Sequence, residues 1–234
     1  MRKIYSLLAA LLILNSTSVF AADDFPTSNR AYIGVGAGIG KISMDSSESQ
    51  TTKQAFAYQA NMGYLWQLSR RFALGAELAY TKYPDSRGSR TGSETRHPFF
   101  NPETTTTSYD DTLSGYSIAA MAVAQFFMTP HLSVDAKLGF AWMTQTYSSN
   151  STWVTVPQMG SPTSGSNPTA TDSDGSLMSA LGIGAAYAFN QKFSMTIDVQ
   201  GVYYRIFQPN GWLQALGHTG KPAASGLLGI RYSF

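Results

Sequence analysis

With no cysteine in 234 residues, the chain has no thiolate nucleophile, disulfide, Cys-ligated zinc or lipoprotein anchor, and any chemistry falls to histidine, serine and the carboxylates. His131 and Ser133 stand two positions apart. On an extended strand that spacing puts a base and a hydroxyl on one face, as an activated serine nucleophile requires. His97 is followed by Glu103, Asp110 and Asp111, which are metal-ligating types without a ligand spacing, so a solvated loop histidine is expected and no metal or other cofactor. His218 is a second loop histidine. Five further charges, Glu77, Asp135, Lys137, Asp198 and Arg231, lie within runs of small and apolar residues. Such groups must pair wherever they are buried. They form either an ion path or a satisfied plug, and the plug is the expectation.

The elements that must position these groups follow from composition and pattern. Lys and Arg number 16 against 14 Asp and Glu. Two of the cations, Arg2 and Lys3, precede an apolar run from Ile4 to Leu14 and small residues at Val19, Ala21 and Ala22. This is the layout of a signal peptide cleaved after Ala21, leaving fourteen charges of each sign and no electrostatic case for nucleic acid. The run is about half the roughly 20 residues that span a bilayer as a helix. No later apolar stretch reaches that length, so a membrane-spanning mature chain must be a β-barrel. Charged residues are 13%, about half the usual ~25% of a soluble domain.

From Ala31 onward, large apolar residues recur at every second position, which is strand periodicity. Ile33, Val35 and Ile39 alternate with glycines. Phe56, Tyr58, Met62, Tyr64 and Trp66 follow, then Phe72, Leu74, Leu78 and Tyr80. A fourth segment, Thr112 to Met128, is mixed: Tyr116, Ile118 and Phe126 share a face, with Met121, Val123 and Phe127 on the other. Leu132 to Trp142, Leu177 to Phe189, Phe193 to Tyr203 and Leu228 to Phe234 complete eight segments. Short connections (Ser69–Arg71, Thr129–His131, Asn190–Lys192) alternate with long ones at about 45–52, 84–111, 148–175 and 207–222. Residues 22–234 are thus expected to form one closed, eight-stranded, antiparallel up-and-down transmembrane β-barrel, following a signal peptide at 1–21.

Eight strands enclose an interior only wide enough for side chains to fill. The aromatic and branched face is therefore expected outside, with Gly, Ala, Ser and a few long polar groups within. Glu77, Asp135, Lys137, Asp198 and Arg231 all fall on the small-residue face, where Lys137 and Arg231 each gain a carboxylate partner. Lys82 and Arg205 fall at the outer ends of strands on the apolar face, placed to snorkel to lipopolysaccharide phosphates. Arg87, Arg90 and Arg96 followed by Glu103, Asp110 and Asp111 make one long connection basic, then acidic. Ser148 to Gly175, nearly all Ser, Thr, Gly, Pro and Asn around Trp153, Val154 and Val156, is expected to be mobile.

The last strand carries the most specific motif: Leu228, Ile230, Tyr232 and Phe234 at two-residue steps to the final residue. This resembles the C-terminal signal recognised by the outer-membrane barrel assembly machinery. With the eight segments, the whole mature chain resembles the superfamily of small eight-stranded outer-membrane barrels: the OmpA transmembrane domain, OmpX-like and opacity-type surface proteins. The resemblance implies an integral location in the bacterial outer membrane, among lipid and lipopolysaccharide, and a surface role in adhesion or envelope interaction without catalysis. Unlike full-length OmpA, the chain is expected to carry no peptidoglycan-binding domain. Two alternatives stand beside it: an OmpW-like narrow channel for ions or small apolar solutes, and a lipid A-modifying enzyme. For the enzyme, His131-x-Ser133 resembles the lipid A deacylase PagL, but the pair falls at a short turn, opposite to the end where that family works. His131 is therefore expected to be a turn residue.

Overall fold

Alternation of bulky and small residues draws the chain into strands, and the computed structural model, which describes residues 25–43, 49–50, 55–96, 102–207 and 221–234, contains nine. They are β1 (Arg30–Ile42), β2 (Ser49–Gln50), β3 (Ala55–Ser69), β4 (Phe72–Arg96), β5 (Glu103–Phe127), β6 (Leu132–Pro157), β7 (Thr163–Ala188), β8 (Phe193–Phe207) and β9 (Ala223–Ser233). Eight of them form a closed antiparallel ring in the order β1, β3, β4, β5, β6, β7, β8, β9 and back to β1. The two-residue β2 lies outside the ring, against Gly88 and Ser89 of β4. Residues 1–21, His97, His218 and most of 45–52 and 207–222 lie outside the described residues.

Two of the short turns are built by side chains that mimic backbone acceptors. Thr129 Oγ1 accepts from the amides of His131 and Leu132 at 3.3 and 2.9 Å. Asn190 Oδ1 accepts from those of Lys192 and Phe193, both at 2.8 Å. Each turn reverses the chain within a few residues and so fixes the register of its hairpin.

Outward residues are the large apolar ones. Val35, Phe56, Leu138 and Ile183 are 63–67% exposed, against 3% for Glu77 and Lys137. Rings gather at both rims of this band. At the short-turn rim Phe193, Tyr232 and Phe234 stack edge to face at 5.0 and 4.9 Å. At the other rim Tyr80 meets Tyr116 at 5.8 Å. The interior departs from the expectation of small and polar residues alone. Leu113, Met121, Val123, Phe127, Met143 and Met178 are buried inside, with Tyr32, Leu65 and Tyr83. Two apolar clusters result, one towards each end of the lumen. Glycine and alanine on β1, β7 and β9 leave width that the opposite wall fills, because a barrel interior must reach crystal-like density.

The long connections expected at 84–111 and 148–175 are also different. Apart from residues 102 and 158–162 their described residues are strand, and β4 to β7 run 25 or 26 residues each, more than twice the ~9–11 that span a bilayer. Their ladders continue to Arg96↔Glu103, Glu103↔Pro157 and, past a register shift between Ser149 and Ser151, Thr155↔Thr163. A four-stranded sheet thus projects roughly 45 Å past Lys82, at about 3.3 Å per residue. Pro84, which has no amide hydrogen to donate, marks a bulge between Tyr83 and Ser86 where a strand end was expected. Low hydrophobicity argues against a separate core. It does not argue against a ladder whose register the barrel has already set, and Thr and Ser suit such a ladder. The hairpin tip at Gly160 has φ +127°, a conformation glycine adopts without strain, and the amide of Gln158 donates to Pro102 O at 2.9 Å.

Candidate functional site

Strands β4, β6, β8 and β9 each send charge to one level of the lumen. Lys137 Nζ donates to Glu77 Oε1 at 3.0 Å and to Asp198 Oδ1 at 2.8 Å, with all three side chains nearly sealed from solvent. Glu77 Oε2 also accepts from Tyr32 OH at 2.7 Å and Asn61 Nδ2 at 3.1 Å. Towards the short turns, Arg231 lies 3.7 Å from Asp135 Oδ2 and over the Tyr32 ring at 4.5 Å. All five predicted residues are therefore brought into one cluster. Two glycines make room for it. A Cβ on Gly184 would sit 2.5 and 2.6 Å from the Asp135 and Asp198 carboxylates, and one on Gly63 would sit 2.5 Å from the Tyr32 ring.

Polar side chains cross the lumen on either side. Above, Gln59 Nε2 donates to Gln200 Oε1 at 2.9 Å, and Gln200 Nε2 donates to Thr81 Oγ1 at 2.8 Å. Below, an Arg30 Nη donates to Gln125 Oε1 and Gln125 Nε2 to Ser133 Oγ, both at 2.9 Å. Arg30 and Tyr32 were missed by sequence reasoning. Both lie on the glycine-bearing face of β1 by simple alternation, and Arg30 supplies a third cation to balance three carboxylates.

The projecting sheet has its own polar group. Arg90 stacks over Tyr109 at 4.5 Å and lies 3.5 Å from buried Asp111. Burial, reinforced by the negative charge of Asp111, pushes the Tyr147 phenol up to about 12, so it stays protonated at neutral pH. Antiparallel pairing lays the basic half of the 84–111 segment directly over its acidic half, Arg96 against Glu103 and Arg90 beside Asp111. Charges that read as separate blocks along the chain are neighbours in space.

His131 and Ser133 do not form a catalytic pair. The His131 ring stacks on outward-facing Tyr187 with Nδ1 3.1 Å from Ala188 O, while the Ser133 hydroxyl is held inside by Gln125. Among the described residues no three His, Asp or Glu side chains are grouped to hold a metal ion. Lys82 is half-buried on the outward face, in register between Tyr58 and Tyr116. Arg205 lies in β8 opposite Met178, its side chain outside the described residues. Leu228, Ile230 and Phe234 are exposed and Tyr232 half-buried along the outward side of β9.

Comparison with known proteins gives the family. Among solved structures, the chain is similar to Ail of Yersinia pestis (13% identity, 89% of this chain and 100% of that one, TM-score 0.45). It is also similar to Neisserial surface protein A (12%, 87% and 97%, 0.44) and to the N-terminal barrel domain of Pseudomonas aeruginosa OprF (16%, 88% and 100%, 0.40). No curated protein matches it. The family model for the outer membrane protein β-barrel domain matches residues 7–221, and the chain therefore belongs to the outer membrane β-barrel protein family, integral to the outer membrane.

Proposed function

We propose that this is a non-enzymatic surface protein in which the barrel is a rigid mount for the projecting sheet, and that the sheet contacts host molecules, other cells or lipopolysaccharide. The observation that carries this reading is the antiparallel pairing of β4 through β7, which continues beyond the barrel past register shifts at Tyr83/Ser86 and Ser149/Ser151. Continuous ladders hold a recognition surface at a fixed distance and orientation from the membrane, which is how rigid scaffolds support binding loops. The surface offers hydroxyls, the exposed Val154 and Val156, and Arg90 on Tyr109. A lumen crossed by side chains at three levels supports this reading over a channel.

The test is deletion of each arm in turn, residues 87–110 or 149–171 replaced by a short turn, with whole-cell binding to host cells and matrix measured. One deletion is expected to abolish binding while circular dichroism shows the β-barrel still folded. Unchanged binding in both variants would refute the proposal, and a lipid A mass change that depends on the protein would refute the non-enzymatic part.

Lys82, and Arg205 with it, is assigned to lipopolysaccharide phosphate. Its place between two tyrosines at the outer rim lets the stem lie along apolar surface while the ammonium reaches the headgroups. Lys82→Gln/Arg205→Gln is expected to reduce lipopolysaccharide co-purification and lower the unfolding temperature in outer-membrane lipid. Unchanged values for both measurements would remove the assignment.

A further inference from the structure

Below the charge cluster the lumen widens towards the short turns into a funnel of about 700 Å³, within the range of small-molecule sites. Its wall includes Arg30, Lys192 and Arg231, with His131 at the rim, and among the described residues that line it there is no Asp or Glu. The rings of Phe25, Phe127, Phe193 and Phe234 line it as well. Arg30 is held over Phe127 at 5.2 Å as Arg231 is over Tyr32, so aromatic faces fix both guanidiniums. The two repel one another.

Arg231 is 4% exposed, and its Nε and Nη2 make no hydrogen bond among the described residues. Its carboxylate neighbour Asp135, at 3.7 Å, is beyond the roughly 2.7–2.9 Å of a charge-assisted bond. Buried donors left without acceptors are costly, and more so on a charged group. The wall thus presents convergent guanidinium groups, two buried Arg231 donors without a hydrogen bond among the described residues, and apolar rings.

We propose that this periplasmic funnel is a binding site for a small organic oxyanion, a carboxylate or phosphate on an apolar body, held between Arg231 and Arg30 with Lys192 at the entrance. The proposal stands apart from the role of the extracellular sheet. Such an oxyanion is either a periplasmic solute or the headgroup of an anionic lipid in the inner leaflet.

The test uses the mature protein with ¹⁵N-labelled arginine in a non-ionic detergent, reading the Nε–Hε resonances at constant ionic strength. Sodium benzoate is expected to move the Arg231 and Arg30 signals saturably, sodium phosphate to do so more weakly, and benzyl alcohol to leave them in place. Arg30→Gln and Lys192→Gln, which spare the Lys137 cluster, are each expected to weaken benzoate binding at least about tenfold, or ~1.4 kcal/mol. In nanodiscs of phosphatidylglycerol, signals already at the bound position and insensitive to benzoate would identify the lipid headgroup as the source. Signals that still titrate, as in phosphatidylcholine, would identify a solute. The proposal is overturned if neither anion moves Arg231 in protein shown folded by gel migration, if benzyl alcohol moves it equally, or if both substitutions leave the affinity unchanged. It is overturned too if benzoate binds only to an Asp23→Asn/Asp24→Asn variant, since the acidic residues preceding Phe25 would then be the occupant.

Discussion

Lys137→Met is expected to destabilise the barrel by about 3–5 kcal/mol, the usual result of removing one member of a buried ion pair. Here one ammonium serves two carboxylates, Glu77 and Asp198, at 3.0 and 2.8 Å. Deleting it leaves two buried anions facing each other with, among the described residues, Tyr32 and Asn61 as donors to one of them. The measurement is the urea midpoint of unfolding from phospholipid vesicles. The companion variant Lys137→Met/Glu77→Gln/Asp198→Asn removes all three charges and is expected to recover most of the loss, since much of the damage from a single deletion lies in the uncompensated partner. If the single variant costs under about 1 kcal/mol, the ion pairs are not what fills this level of the lumen. If the triple variant is as unstable as the single one, packing volume rather than charge is responsible.

The second large effect lies on the opposite face of the same strand. Leu138 is 63% exposed and outward, midway along β6 between the turn at His131 and the rim residue Trp142. Leu138→Arg puts a guanidinium near the bilayer midplane, where the cost is about 2–4 kcal/mol. Val154→Arg is the control: it too is exposed, but in the projecting sheet, where water solvates the charge and the change is expected within about 0.5 kcal/mol. Both are measured in the same vesicles. Equal costs for the two substitutions would mean that the outer face of β6 does not meet hydrocarbon, and the orientation of every strand would have to be reversed.

Much of the barrel was legible because a strand exposes its parity directly. Glu77, Asp135, Lys137, Asp198 and Arg231 share the small-residue face in any register, so a common lumenal location follows from alternation alone. Arg30 and Tyr32 obey the same parity, yet they lie at the very start of β1, where the alternating run had only begun. The mixed fourth segment was harder to read because both faces of β5 are apolar. Tyr116, Ile118 and Phe126 look outwards and Met121, Val123 and Phe127 fill the lumen, and periodicity cannot distinguish lipid from core when both are apolar. The hairpin arms were misread for a different reason. Ser and Thr with few apolar residues signal the lack of a core, and the pairing that orders them is inherited from barrel strands some twenty residues away.

Local rules carried by the sequence alone were enough for the number of spanning strands, the greasy side of each, and the enclosure of the ionic groups, because each depends on side-chain alternation and on the cost of charge in hydrocarbon. Only the closed ring decided which charges meet, that Lys137 bridges two carboxylates while Arg231 lies 3.7 Å from a third, and that four strands continue as one sheet into the surroundings. Those outcomes depend on strand register and shear, which set distances between residues as far apart in the chain as Tyr32 and Arg231 and leave no periodic trace in it.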